Sequence, residues 1–166
     1  MQMSPILQSR FHNLSQTLSF EELLEELNKY IAIKPEAKYQ IVVGSDSASS
    51  TDVRVVTAVA VHRIGNGGRY FWTRSEVGRC PTLRDRIYKE TMQSIVMMQE
   101  LRGRLKEMLG EEFFWDNKIT VHLDVGLIGP TRELVDAVVG MVKGYGFDVA
   151  IKPDSFGAFV LADRHT

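Results

Sequence analysis

The segment from residue 118 to residue 151 shows the pattern of a strand, a helix and a second strand, and this order strongly restricts the possible folds. Residues 118–125 (KITVHLDV) alternate between apolar and polar side chains, which is typical of a strand with one buried face. A Gly-Pro turn then leads into apolar residues at helical spacing over residues 131–143, and residues 147–151 (FDVAI) predict the returning strand. Strands joined by a helix pair in parallel, so the sequence predicts an α/β fold.

The preceding part of the chain predicts three strands joined by short connections. Residues 39–46 (YQIVVGSD) form an apolar run that ends in Gly, Ser and Asp, and residues 53–63 alternate. The glycine-rich residues 65–68 predict a tight turn into a third strand at residues 69–77. Short turns make antiparallel neighbours, so we expect a five-stranded mixed sheet: three antiparallel strands followed by two parallel crossovers.

Two helices have clear end signals. Ser19 and Glu22 form a capping box at the start of a helix that should end before Pro35. Thr82 is predicted to cap a long helix that Gly110 ends. Both helices carry apolar stripes at helical spacing, so each should pack one face on the sheet.

The remaining segments are less regular. Residues 1–18 are polar and mixed, which indicates a loose lead-in or an arm on the domain. Residues 111–117 are predicted to form a loop whose aromatic residues pack rather than stack on bases, and residues 153–155 to begin a last helix. We expect a lead-in and accessory helix in residues 1–36 and one domain in residues 37–166.

Composition excludes several classes of protein. With 44% hydrophobic and 25% charged residues, the 166-residue chain is typical of a globular domain. No apolar run is as long as a membrane span and no signal peptide is evident, so we expect a cytoplasmic protein without a membrane partner. A single cysteine, Cys80, excludes an intramolecular disulfide and a cysteine metal site.

Four carboxylates lie where the pattern calls for an apolar residue or a buried strand end. Asp46 ends the first strand and Asp124 lies in the fourth, while Glu90 and Asp163 fall on the apolar faces of helices. Burying a carboxylate without a partner costs several kcal/mol, so these acids need a neutralising group. We predict that they hold two Mg²⁺ or Mn²⁺ ions, bridged by Asp46, and catalyse metal-assisted hydrolysis.

Each acid also has an ordinary structural interpretation. Asp46 could form a turn, and Glu90 could pair with Arg86 four residues earlier in its helix. Asp124 could cap a helix or lie in a loop, and Asp163 could lie at a frayed end. Four such coincidences are less probable together than singly.

Candidate auxiliary residues are Ser47, His122 and His165, each within two residues of one of these acids, and also Lys152. The two histidines also allow an aspartate–histidine site for Zn²⁺ or Mn²⁺, which we rank below the all-carboxylate site. No nucleotide-binding loop is present, and the serines near Asp46 lack the context of a serine nucleophile.

The middle of the chain is locally basic although the net charge is −1. Residues 69–106 contain nine basic and four acidic side chains. This pattern is typical of a solvated helix face, and it also allows a phosphate-binding surface with Arg79, Arg84 and Arg86 as nucleic-acid contacts.

The placement of Asp46, Glu90, Asp124 and Asp163 resembles the four-acid site of the ribonuclease H fold. More closely, residues 36–166 resemble the uncharacterised bacterial YkuK-type family of ribonuclease H-like proteins. The motifs that carry this resemblance are VGSDS (residues 43–47), PTLRDRIYKET (81–91), HLDVG (122–126), GMVKGYGF (140–147), IKPDS (151–155) and ADRHT (162–166).

The resemblance implies a ribonuclease H-like fold and a divalent-metal-dependent nuclease that acts on RNA, RNA/DNA hybrids or structured DNA. Ribonucleases H often carry a histidine in the loop before the last acid, but residues 154–162 contain none. The chain also lacks a basic insertion for gripping a hybrid. A non-catalytic binding or scaffold module that keeps at most a structural metal ion is therefore the alternative.

Overall fold

The computed structural model describes residues 5–48 and 52–155, and the strands in these ranges form one mixed sheet. Seven strands follow the spatial order β2-β1-β5-β4-β3-β6-β7. Their bounds are β1 Arg10–His12, β2 Thr17–Ser19, β3 Tyr39–Ser47, β4 Val53–Arg63, β5 Gly68–Gly78, β6 Lys118–His122 and β7 Asp148–Ala150.

The pairing of the central strands agrees with the prediction. β3, β4 and β5 are antiparallel neighbours, whereas β6 pairs in parallel with β3 and β7 pairs in parallel with β6. β3 is therefore the strand at which the antiparallel and parallel parts of the sheet meet. The mixed α/β architecture predicted from the sequence is confirmed.

The prediction of five strands was wrong, because β1 and β2 add a hairpin to the edge of the sheet. β1 reaches β5 through one residue pair, His12 with Trp72. Asn13 closes the hairpin, since its Oδ1 accepts hydrogen bonds from the backbone N–H groups of Ser15 and Gln16. Each of these strands has three residues, which is too short to show a period-2 pattern in a polar segment.

The helices are α1 Phe20–Ile33, α2 Leu83–Leu109, α3 Phe113–Asp116 and α4 Val135–Gly144. The predicted capping box of Ser19 and Glu22 is present at the start of α1. Thr82 caps α2 and Gly110 ends it, as predicted. A 3₁₀ turn over Arg132–Leu134 precedes α4, so the predicted single helix of residues 131–143 is divided.

One large hydrophobic core lies between the sheet and helices α1, α2 and α4. Ile41 and Val43 of β3 contribute to it, together with Val121 of β6. These alternate positions leave Thr120 and His122 on the other side of β6, because neighbouring side chains of a strand point to opposite faces. Within the described ranges, no helix is long and apolar enough to cross a membrane.

The prediction of a loop at residues 111–117 was also wrong, because α3 forms there. Asn117 holds this short helix on the sheet: its Nδ2 donates to the carbonyl oxygen of Phe113, and its Oδ1 accepts from the N–H of Tyr39. Phe113 packs on the core, whereas Trp115 is 73% exposed. The predicted last helix, which would carry Asp163, falls largely outside the described residues.

Candidate active site

Asp46 and Asp124 lie at the carboxyl edge of the two central parallel strands. Gly44 of β3 pairs with His122 of β6, and each aspartate lies two residues further along its chain. Neighbouring strands are about 4.8 Å apart, so the parallel pairing brings the two aspartates to adjacent positions on one edge. Asp46 is buried and Asp124 is largely buried, with 19% of its side chain exposed.

Glu90 brings a third carboxylate to this edge from helix α2. It is 5% exposed, and the hydroxyl of Ser47 donates a 2.5 Å hydrogen bond to its Oε1. Burial raises the pKa of Glu90 to about 8, and the charges of Asp46 and Asp124 act in the same direction. The Ser47 hydrogen bond and the Arg86 guanidinium oppose this rise in pKa. Glu90 is therefore buried as predicted, and at neutral pH its carboxyl keeps a proton in the metal-free protein.

Buried hydroxyl groups fix α2 against the sheet beside Glu90. Ser94 lies four residues after Glu90 in the helix, and its Oγ is 2.7 Å from the Oγ of Ser45 in β3. The Ser45 hydroxyl also lies 3.0 Å from Oγ1 of Thr57 in β4. This chain of hydroxyls connects one helix to two strands, so it sets the position of Glu90 along β3. In the sequence, this chain of hydroxyls is indicated only by Ser94, a serine on the apolar stripe of α2.

Lys152 supplies a positive charge next to Asp124. Its Nζ forms an ion pair with Oδ1 of Asp124, an oxygen that is buried. The backbone holds the two residues together, because the N–H of Lys152 donates a 2.8 Å hydrogen bond to the carbonyl oxygen of Val125. Lys152 was predicted as an auxiliary residue, and the structure brings it into contact with an acid.

His122 is buried beside the aspartates at the end of β6. Burial lowers the pKa of its imidazole, which is therefore neutral at pH 7. Its Nδ1 is buried and has no hydrogen-bond partner within residues 5–48 and 52–155. On the same edge, His122 lines one small cavity together with Ser45, Glu90 and Asp124.

The predicted nucleic-acid contacts lie at different depths. Arg79 and Arg84 are exposed, whereas Arg86 is half-buried and its charge lowers the pKa of Glu90. An apolar loop tip follows Asp124 on the same edge: Leu127 is 66% exposed and Ile128 is 94% exposed. Neither of these two residues was predicted from the sequence.

Two predicted residues, Asp163 and His165, lie outside the described part of the chain. Among the residues that the structure does describe, no group of three or more histidine, cysteine, aspartate or glutamate side chains could hold a metal ion by itself. Asp46, Glu90 and Asp124 nevertheless interact electrostatically, since the first and third raise the pKa of the second. Carboxylate oxygens such as theirs are the type of ligand that hard divalent cations bind.

Comparison with known proteins gives a consistent result. The family model described as Ribonuclease H-like matches residues 22–166, a range that includes the positions of all four predicted acids. The "Uncharacterized protein YkuK" of Bacillus subtilis (strain 168) is 30% identical over 167 residues, covering 94% of this chain and 96% of that protein. No solved structure matches the chain.

Proposed function

The chain belongs to the ribonuclease H-like family, and on that basis we propose that it is a divalent-metal-dependent nuclease. Its reaction would be hydrolysis of phosphodiester bonds in RNA, RNA/DNA hybrids or structured DNA. Support beyond family membership comes from the chemistry of the acidic edge that Asp46, Glu90 and Asp124 form.

One observation supports the proposal above all others: Glu90 is buried together with two other carboxylates, at a cost that its pKa of about 8 expresses. A carboxylate placed only for structure would be expected to have a cation or several donors around it. Here the described residues provide one hydroxyl and the charge of Arg86 for Glu90, and one ammonium for Asp124. A divalent cation would offset the remaining charge, and carboxylate oxygens are suitable ligands for Mg²⁺ or Mn²⁺.

In the proposed site, Asp46, Glu90, Asp124 and Asp163 would hold the metal, with two ions in the full scheme. When bound, the metal would supply the Lewis acid that activates water and stabilises the leaving oxygen. The roles of the surrounding residues follow from their contacts. Ser47 fixes the orientation of Glu90 through its 2.5 Å hydrogen bond, and the Ser45–Ser94 contact fixes the helix that carries Glu90.

Exposed residues that precede Glu90 and follow Asp124 in the chain have features that suit a nucleic-acid strand. Arg79 and Arg84 are exposed and provide positive charge for phosphates. Leu127 and Ile128 project from the loop that follows Asp124, and apolar side chains in such a position can contact exposed bases or base steps. We expect phosphate contacts to provide most of the affinity.

The direct test is cleavage of a labelled panel of single-stranded RNA, duplexes, RNA/DNA hybrids and branched DNA in the presence of Mn²⁺. We expect cleavage of at least one substrate, and a loss of about a hundredfold or more in Asp46→Asn. Asp148→Asn is the matched control, since Asp148 is an exposed aspartate at the opposite end of β7 and should keep full activity. Absence of cleavage throughout, or equal cleavage by both variants, would refute the proposal.

The second candidate is a binding or scaffold module with at most a structural ion. The observation that favours it is the Lys152–Asp124 ion pair, which neutralises part of the acidic edge without a metal. Saturating metal stabilises a protein that binds it, by about 2.7 kcal/mol at one hundred times the dissociation constant. A shift in melting temperature with metal but without any cleavage would therefore favour the module.

A further inference from the structure

Lys152 occupies the position next to Asp124 that a bound cation would be expected to take. Its Nζ contacts a carboxylate oxygen that is shielded from solvent, and Asp124 is one of two aspartates that act on Glu90. An ammonium group and a metal ion bind such an oxygen through the same attraction for negative charge. Two positive charges held at one oxygen repel each other, so a metal ion bound through this oxygen would weaken the ion pair with Lys152.

The backbone holds Lys152 in place while its side chain remains able to leave. Hydrogen bonds run from Leu123 N–H to Ala150 and from Lys152 N–H to Val125, which places the two segments side by side. Gly126 permits this approach, because a Cβ at that position would lie 3.2 Å from Cβ of Lys152. About half of the Lys152 side chain is exposed, at 49%, so its ammonium can move to solvent without unfolding of the chain.

We propose that Lys152 is a built-in competitor for the metal site: its ammonium neutralises Asp124 in the metal-free protein and must be displaced when Mg²⁺ or Mn²⁺ binds. This inference rests on the proposed metal site and adds how the site is regulated. The ion pair lowers the apparent affinity for metal, so the site fills only when the free ion is abundant enough to displace the lysine. Metal binding therefore changes the local charge by less than the charge of the ion, because an ammonium leaves.

The test is metal affinity, measured by calorimetric titration of Mn²⁺ into the purified full chain. Lys152→Met removes the ammonium and keeps a long side chain, so we expect the dissociation constant to fall about three- to tenfold. Lys152→Arg keeps a competing cation and should bind Mn²⁺ less tightly than Lys152→Met. Circular dichroism should show that all variants are folded.

Two control variants separate competition from a general charge effect. Lys118→Met removes an exposed lysine from the opposite end of β6, and its affinity for Mn²⁺ should equal that of the wild type. Arg86→Gln removes a charge that acts on Glu90 without any ion pair to Asp124. An affinity gain in Arg86→Gln as large as that in Lys152→Met, or no gain in Lys152→Met, would overturn the inference.

A direct measurement follows the Lys152 Nζ itself by NMR of ¹⁵N-lysine-labelled protein, with Lys152→Arg to assign the signal. Saturating Mg²⁺ should move this signal, and an unchanged signal in the metal-bound protein would contradict displacement. The outcomes distinguish the two proposals. Metal binding with displacement but without cleavage would refute only the nuclease, whereas cleavage without displacement would refute only the competitor.

Discussion

Replacing Glu90 with glutamine should stabilise the metal-free protein at neutral pH, although Glu90 lies at the centre of the candidate site. The folded protein has a Glu90 pKa of about 8, whereas the ordinary value is 4.5. Between these two pH values the unfolded chain releases the proton and the folded protein keeps it. The free energy of unfolding therefore falls as pH rises through this window, by up to about 1.4 kcal/mol per pH unit.

Between pH 4.5 and pH 7 this single group should remove about 3 kcal/mol of stability from the wild type. Glutamine has no proton to lose, and its amide oxygen can accept the hydrogen bond from Ser47. Glu90→Gln should therefore be about 3 kcal/mol more stable than the wild type at pH 7 and nearly equal to it at pH 4.5. For a chain of this length, the difference at pH 7 corresponds to about 6–12 °C in melting temperature.

The assay is urea denaturation in EDTA at intervals from pH 4.5 to pH 8.5. The difference between wild type and Glu90→Gln isolates the one group, because the other titrating residues are common to both proteins. Glu107→Gln is the control, since Glu107 is an exposed carboxylate on the same helix, and its removal should change stability by less than about 0.5 kcal/mol. Parallel pH profiles for wild type and Glu90→Gln, or a less stable Glu90→Gln at pH 7, would refute the reasoning.

Three further predictions concern neighbouring residues. Burial lowers the pKa of His122, so the free energy of unfolding should fall as pH falls below about 6.5, where the unfolded chain gains the proton. His122→Gln should flatten this fall in urea denaturation. An acid profile equal to that of the wild type would contradict the prediction. Ser94→Ala removes the 2.7 Å contact with Ser45 and should lower the free energy of unfolding by about 1–2 kcal/mol, measured by urea denaturation. An unchanged free energy of unfolding would mean that the contact contributes nothing to stability. Ile128→Ser replaces an exposed side chain, so its melting temperature should stay within about 2 °C of the wild-type value. Its affinity for oligonucleotides, measured by fluorescence anisotropy, should be weaker. An unchanged affinity would exclude a base contact by Ile128.

The features that the sequence predicted correctly depend on residues close together in the chain. The first helix was located through Ser19 and Glu22, which are three residues apart, and the ends of the second through Thr82 and Gly110. The inward position of Glu90 followed from its place on an apolar stripe. Such local signals also gave the strand types, since a short turn or an intervening helix decides whether neighbours are antiparallel or parallel.

The features that the sequence did not predict depend on contacts between distant segments. The hairpin at the sheet edge has two buried apolar residues, Phe11 and Leu18, and no sequence period could reveal it. Ser94 looked like a small residue on an apolar stripe until the fold placed it against Ser45, 49 residues earlier. The contact of Lys152 with Asp124 likewise requires the parallel pairing of two strands, because the two residues are 28 positions apart in the sequence.

The metal-free protein thus has three separate means of tolerating carboxylates at its buried edge. Glu90 keeps a proton, Ser47 donates to the same group, and Lys152 neutralises Asp124. The first and third are reversible, because a proton and an ammonium can both leave when a divalent cation arrives. Metal binding in the proposed site should therefore be coupled to proton release, with an affinity for Mn²⁺ that rises with pH up to about 8 and then levels off. A carboxylate cluster stabilised in this way can fold without its ion, which permits Mn²⁺ to be titrated into folded protein.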